Sequence, residues 1–333
     1  MTSTFIIAEA GANHNKNFEQ ALALIDAAVE SGASACKFQT YSSETLYSKN
    51  TPDFAGYKNI NKLIKDIELP REWQKDLKQY CDEKNIEFMS TPFDEKAVDE
   101  LVALGVKRLK IAGFESTDFR FVEMVASTGL PLVISLGIGF DWRWLSSYFR
   151  IANKYGNDLT LLHCNNAYPT PMQDVDLGVI KLLAGGRYSE PIKEPTYRTG
   201  FSDHTTSTIT PALAVVAGAT VVEKHFTLSR RLPGPDHPFA LEPHELKQMV
   251  DYIRLTEQAL TPQSGRFTQS EQAFKQAMRS VVAKVAIKAG DAFTTNNITT
   301  KRPFLEGNIP AINFDQVLGT VATRNYNQDD FIL

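Results

Sequence analysis

A short apolar run followed by a stretch of helical period recurs eight times before residue 261, and this alternation limits the fold more than any other feature. The runs are Phe5–Ala10, Ala35–Tyr41, Ile86–Phe93, Arg108–Gly113, Leu132–Gly137, Leu159–Cys164, Thr199–His204 and Thr220–Phe226. Short continuous apolar runs suit parallel strands buried on both faces. Helical patterns fill the gaps: Phe18–Val29, Glu72–Glu83, segments starting at Glu95, Asp118, Asp141, Asp174 and Ser207, and a last one over Glu245–Leu260. Each can return the chain to the end where the next parallel strand begins, as a right-handed crossover requires. Eight such units predict an α/β fold, a (β/α)₈ TIM barrel over residues 1–261, near the usual size of about 250 residues. An open doubly wound sheet shares the alternation, but a count of eight favours closure.

After Thr261 the pattern changes. The segment TPQSGRFTQSEQ is polar and reads as part of a linker over 262–279. Residues 280–333 carry short alternating strands such as VVAKVAI, with turns at AGD and NQDD, so a small β-rich domain is expected. At that size a core alone is marginal, and the domain is expected to lean on the barrel or on a second subunit. A net charge of −4 gives no electrostatic argument for nucleic acid or an anionic membrane as partner. No apolar run approaches the roughly 20 residues of a bilayer span. The start, MTSTFIIAEAG, lacks the basic opening and long apolar core of a secretory signal. Cys36, Cys81 and Cys164 are odd in number and widely spaced, which argues against a disulfide framework and for a reducing, cytoplasmic setting.

Catalytic groups of such a barrel sit at the C-terminal ends of its strands. Polar residues collect there in this chain: Glu9, Asn13 and His14 on the first; Lys37, Gln39 and Thr40 on the second; Ser90 and Thr91 on the third. The fourth carries Lys110 and then Glu115, the fifth Ser135, and the sixth His163, Asn165, Asn166 and Tyr168. The seventh ends in Ser202, Asp203 and His204, and the eighth in Glu223, Lys224 and His225. Helix capping explains Asn17 and can explain Ser207, but not eight strand ends at once. A lysine inside a barrel is costly unless it meets an anion. Lys37 and Lys110, with Ser90, Thr91 and Ser135, could therefore hold a phosphate and a carboxylate. Pairing with Glu9 or Glu115 in a structural network is the competing explanation. His204 and His225, one unit apart, could form a two-point metal site, with His163 a weaker third member. Imidazoles suit several metals, so the residues alone do not choose one. Buried hydrogen-bonded histidines are the alternative.

In order along the chain, FIIAEAGANHN, KFQTY, STPFD, LKIAGFE, HCNNAYPTP, FSDHT, VEKHFTL and LPGPDH resemble the sialic acid synthase family. The tail SVVAKVAIKAGDAFTTNNITTKRP resembles that family's SAF (antifreeze-like) domain. The resemblance covers essentially the whole chain. It implies condensation of phosphoenolpyruvate with the open-chain aldehyde of an N-acyl mannosamine-type sugar, releasing phosphate and giving a nine-carbon 2-keto-3-deoxy acid. N-acetylneuraminate synthase is the leading expectation, with legionaminate and pseudaminate synthases as alternatives. It further implies a divalent metal, Mn²⁺ rather than Mg²⁺ or Co²⁺, on His204 and His225. Phosphoenolpyruvate ligands carried over by motif are Lys37, Gln39, Thr91, Lys110, Ser135, Asn166 and Ser202. Glu115 matches an acid/base glutamate and Glu9 the acid of the first strand, while Tyr168 and Asp236 match positions that meet the sugar. Arg302 matches a tail arginine that reaches the partner's site in a domain-swapped homodimer.

The chain departs from the family pattern in three places. Ala112-Gly113 stands where a serine is usual, Leu136-Gly137-Ile138 follows Ser135 where STGM is usual, and RPFLEGNIP replaces a shorter turn. The first two bear on the phosphate cradle and the third on what Arg302 reads. Three other readings compete. A barrel aldolase for a phosphorylated sugar would need an extra basic cluster. A metal-dependent hydrolase would want more histidines and a bridging acid. A carbohydrate- or ice-binding protein leaves the polar strand ends unexplained.

Overall fold

The computed structural model describes residues 3–53, 56–185, 197–261 and 267–333. The chain divides into two compact units, Met1–Thr261 and Pro262–Leu333.

In the first unit the strands are β1 (Phe5–Gly11), β2 (Ala35–Thr40), β3 (Glu87–Pro92), β4 (Leu109–Ile111), β5 (Leu132–Leu136), β6 (Leu159–Cys164), β7 (Tyr197–Asp203) and β8 (Val221–His225). All the ladders are parallel, in the order β3-β2-β1-β8-β7-β6-β5-β4. β3 and β4 pack side by side and close the ring. At this seam the Arg108 guanidinium grips Glu87 through two bonds, Nε–Oε1 at 2.7 Å and Nη2–Oε2 at 3.1 Å. The expected (β/α)₈ barrel is thus observed, with β4 cut to three residues because the chain turns away at Ala112-Gly113.

The helices are α1 (Phe18–Ser31), α2 (Ile60–Ile67), α3 (Gln74–Glu83), α4 (Glu95–Leu104), α5 (Phe119–Ala126), α6 (Trp144–Tyr155), α7 (Leu177–Ala184), α8 (Thr210–Val216) and α9 (Pro243–Leu260). α1 shows how the sequence sets such a helix. Ala21, Leu24, Ile25 and Ala28 form one buried stripe, Asn17 Oδ1 accepts from the Gln20 N–H, and Gly32 ends the helix at φ 83°. Losing that cap would cost about 1 kcal/mol. α2 was not anticipated. It sits within the long β2–α3 connection, where Ile60 and Ile64 pack with Tyr41. Among the described residues no helix is long and apolar enough to cross a membrane.

Strand alternation decides what faces the barrel axis. Ile7, Ala35, Met89, Val133, Leu162 and Val221 form a small apolar cluster of their own, a plug inside the ring. Their strand neighbours Ile6, Ala8, Cys36, Phe38, Phe88, Ile134, Leu161 and Val222 belong to the larger core shared with the helices. Because side chains alternate, residues two positions beyond the plug face the same interior, one layer higher. Those residues are Glu9, Lys37, Thr91, Ser135, Cys164 and Glu223.

In the second unit β9 (Ser280–Ala283) pairs antiparallel with β10 (Ile298–Lys301), and α10 (Phe314–Val317) follows. Val281, Ala283, Ile287, Phe293, Ile298 and Tyr326 are among the residues that form its separate core. Of the expected linker, 262–266 lie outside the described residues. Residues 267–279 carry a short turn at Gln272–Ala277 and group with this unit.

Candidate functional site: a buried ionic cluster at the barrel mouth

The polar layer above the plug lines a cavity bounded by Glu9, Lys37, Gln39, Thr91, Lys110, Ser135, Tyr168, Ser202, His204, Glu223 and His225. Lys37 Nζ lies 2.6 Å from Glu9 Oε2, 2.9 Å from Thr91 Oγ1 and 3.7 Å from Glu223 Oε1. Lys110 Nζ lies 3.7 Å from that same Glu223 oxygen and donates to the Ile111 carbonyl at 3.1 Å. Gln39 Nε2 donates to Glu9 Oε1 at 2.8 Å. Both ammonium groups are about 2% exposed.

Two cations and two carboxylates in so little water shift one another. Burial alone would lower Lys37, but Glu223 and Glu9 more than offset it and hold Lys37 above its ordinary value. For Lys110 burial wins over Glu223, and its pKa falls. Burial raises Glu9 to about 7 against the pull of Lys37. Burial opposes ionisation of Glu223 as well, yet Lys110 and Lys37 outweigh it and keep its pKa low. Lys37 is thus satisfied by the protein, whereas Lys110 is short of an anion. The Ser135 Oγ and Glu223 Oε2 atoms are buried without a hydrogen-bond partner.

His204 and His225 stand beside this cluster with ring centroids 5.4 Å apart. Both are held neutral: burial lowers His204 to about 4, and burial with the nearby His204 lowers His225 well below its usual value. His204 Nδ1 meets the Asn165 carbonyl at 2.6 Å and must donate there, which leaves Nε2 as the free lone pair. His225 Nδ1 is buried without a hydrogen-bond partner, 3.9 Å from Asp236 Oδ2. Two neutral imidazoles with lone pairs to spare suit a divalent cation that takes its other ligands from substrate and water. Among the described residues no group of three or more His, Cys, Asp or Glu side chains could hold a metal.

Glu115 opens the turn after β4. Its Oε2 is buried without a partner, and burial raises its pKa. Asn166 follows β6 and packs against Gly113, its Oδ1 also unpartnered. Tyr168 leans on His204 with ring centroids 4.3 Å apart and the planes tilted by 44°. Arg302 is exposed on the second unit.

Some polar strand ends face the other way. Ser90 bonds Thr40 at 2.8 Å behind the sheet, so it cannot share an anion with Lys37 as expected. His163 stacks on Phe201, centroids 5.9 Å apart, and is no third metal ligand. Lys224 pairs with Asp203 at 2.8 Å, a buried structural bridge. Conversely, Glu223 belongs to the site although no role was drawn for it. The signal was its place two residues before His225, on the same face.

Three comparisons place this chain among known proteins. Residues 24–264 match the NeuB family and residues 278–333 the SAF domain. The chain is 35% identical to the N,N'-diacetyllegionaminic acid synthase of Campylobacter jejuni, over 100% of this chain and 99% of that one. It is 31% identical to N-acetylneuraminate-9-phosphate synthase of Homo sapiens, over 99% and 91%. The structure of N-acetylneuraminic acid (sialic acid) synthetase from Leptospira borgpetersenii, in complex with citrate, matches with a TM-score of 0.73 and 33% identity, over 82% of this chain and 90% of that one. Fold and mouth together define a TIM-barrel enzyme with a buried ionic cluster at its mouth. The chain belongs to the NeuB family of sialic-acid-type synthases and carries the SAF domain at its C-terminus, as its motifs suggested.

Proposed function

We propose that this enzyme joins phosphoenolpyruvate to the open-chain aldehyde of an N-acyl mannosamine-type sugar, giving a nine-carbon 2-keto-3-deoxy acid and phosphate. The observation that carries the reading is the pair Lys37 and Lys110, buried 3.7 Å from one Glu223 oxygen, with Ser135 Oγ left without a partner. An under-neutralised ammonium beside a free hydroxyl supports a role as anion receptor more than as structural bridge.

Carbon 3 of phosphoenolpyruvate bonds to the aldehyde carbon, water adds at carbon 2, and phosphate leaves with the bridging oxygen. Lys110, Lys37, Thr91, Ser135 and Ser202 bind the phosphate and carboxylate and offset the charge that collects on the leaving phosphate. Gln39 and Asn166 orient them. Glu115, protonated more readily because it is buried, delivers a proton to the aldehyde oxygen as that oxygen becomes a hydroxyl. Glu9 holds Lys37 in place. Tyr168 and Asp236 meet the acceptor. A divalent cation on His204 and His225, Mn²⁺ in preference to Mg²⁺ or Co²⁺, would polarise the acceptor carbonyl. Arg302 serves the mouth of a second copy in a homodimer, and the enzyme works in the cytoplasm.

The test is acceptor-dependent phosphate release with Mn²⁺ and a panel of N-acyl mannosamine and trideoxy sugars. Release with at least one acceptor is expected; silence across the panel from folded, metal-loaded protein would remove the proposal.

A further inference from the structure

The hydrogen-bonded ladder between β7 and β8 stops one residue short of the two histidines. Its last pair is Asp203 with Lys224, and His204 is the first residue beyond the end of β7. His225 is still held from its other side. It pairs with Glu9 of β1, and its carbonyl accepts from the Leu241 N–H at 3.0 Å. The β7–β8 ladder itself therefore does not fix the distance between the two imidazoles.

A side-chain network takes over where the ladder ends. Lys224 lies two positions beyond Val222, a residue of the outer core, so it points away from the barrel interior. Its Nζ bonds on both sides of His204: to Asp203 Oδ2 at 2.8 Å, and to the carbonyl and hydroxyl of Thr205, the hydroxyl at 3.4 Å. Asp203 closes the ring of bonds. Its Oδ1 accepts the Thr205 N–H at 2.8 Å and its Oδ2 the Thr205 hydroxyl at 3.2 Å. The His204 carbonyl accepts from the Thr170 N–H at 2.9 Å. His204 thus sits inside a small hydrogen-bonded ring that is anchored on the residue just before His225.

Asp203 and Lys224 are each 1% exposed. Two charges in so dry a place are costly, and replacing a buried pair with apolar residues often leaves stability unchanged or higher. Stability is a poor account of this pair, and its address is a better one. Each member immediately precedes one histidine, and metal ligands tolerate only about 0.2 Å of error in distance to an ion.

We infer that Asp203 and Lys224 are a positioning pair, a clamp that sets the gap between His204 and His225 to the width a single divalent cation needs. The inference deepens the metal assignment proposed above and rests on it.

The double variant Asp203→Asn/Lys224→Met tests the clamp. It removes one charge of each sign, so the net charge beside the ion is unchanged, and Asn keeps an acceptor for the Thr205 N–H. Electron paramagnetic resonance of free Mn²⁺ gives the affinity without substrate or turnover, at a temperature where circular dichroism shows the variant folded. Outer supports of metal ligands are typically worth about 10–100-fold in affinity, and the double variant should weaken Mn²⁺ binding by that much. Arg108→Met breaks the Glu87 bridge at the N-terminal ends of β3 and β4; it should lower Tm and leave Mn²⁺ binding unchanged. Unchanged affinity in the double variant, or an equal loss in Arg108→Met, would overturn the clamp. Should the double variant fail to fold, Thr205→Val decides, because it removes the hydroxyl shared by both charges and keeps the pair. A several-fold weaker hold on Mn²⁺ would then support the clamp and an unchanged one would overturn it. A parent protein that binds no Mn²⁺ would remove the metal assignment and the clamp with it. A parent that binds, beside a double variant that binds equally well, would remove the clamp alone.

Discussion

The two lysines of the mouth should respond in opposite ways to the same substitution. Lys37 is shared by two carboxylates, at 2.6 Å from Glu9 and 3.7 Å from Glu223, whereas Lys110 has one carboxylate at 3.7 Å, which Lys37 also serves. Lys37→Met strips both acids of their common cation. Breaking a buried pair by removing one partner costs about 3–5 kcal/mol. Glu9 can relieve part of this by taking a proton, since burial already holds it at about 7, so the lower end applies. For a barrel of this size, about 3 kcal/mol corresponds to a fall in Tm of roughly 6–12 °C. Lys110→Met removes a cation that burial already disfavours and leaves Glu223 paired with Lys37. It should cost less than about 1 kcal/mol, within roughly 4 °C of the parent, and could raise Tm. Both variants should lose condensation. Scanning calorimetry without phosphoenolpyruvate, beside phosphate release, reads the contrast. Equal losses of Tm would refute the division into a satisfied and an unsatisfied lysine.

Other outcomes follow from the same geometry. Glu115→Gln should slow phosphate release by about 10²–10⁴-fold with Tm unchanged within a few degrees, and full activity in the purified variant would remove its acid/base role. His204→Ala should weaken Mn²⁺ binding, read by electron paramagnetic resonance of the free ion, and abolish condensation; unchanged binding would end the metal assignment. Gly137→Ala forces a Cβ to 2.2 Å from the Gly113 carbonyl oxygen and should destabilise by about 1–3 kcal/mol in denaturant titration, an effect absent if that approach is not rigid. Glu9 has a folded pKa near 7, above its ordinary 4.5. The folded state therefore holds its proton more tightly, and the stability this contributes is full below about pH 4.5 and lost as pH rises through 7. Glu9→Gln should flatten that part of the stability profile, and an unchanged profile would contradict the shift.

Period and count disclosed the barrel because burying parallel strands on both faces leaves a signature in every unit. The strand spans fall within a few residues of those expected. Helix starts were less legible: α6, α7 and α8 begin at Trp144, Leu177 and Thr210, three residues after the polar residues Asp141, Asp174 and Ser207. Those residues close turns first, as when Ser207 Oγ accepts from the Thr210 N–H at 3.3 Å. Polar strand ends marked the mouth, but composition cannot say which of two adjacent polar residues faces inward. The plug layer supplies that phase, separating Glu223 and His225 from Lys224, and Thr91 from Ser90. The close approach of Gly113 and Gly137 was legible only as two departures from a family pattern, because it is a contact between residues far apart in the chain.

The proposed condensation turns on where phosphoenolpyruvate breaks. Phosphoenolpyruvate labelled with ¹⁸O in the bridging position, incubated with Mn²⁺ and an accepted sugar, should release phosphate that carries the label, mole for mole with a nine-carbon keto acid, by mass spectrometry. Unlabelled phosphate, or phosphate released at the same rate without any sugar, would contradict it.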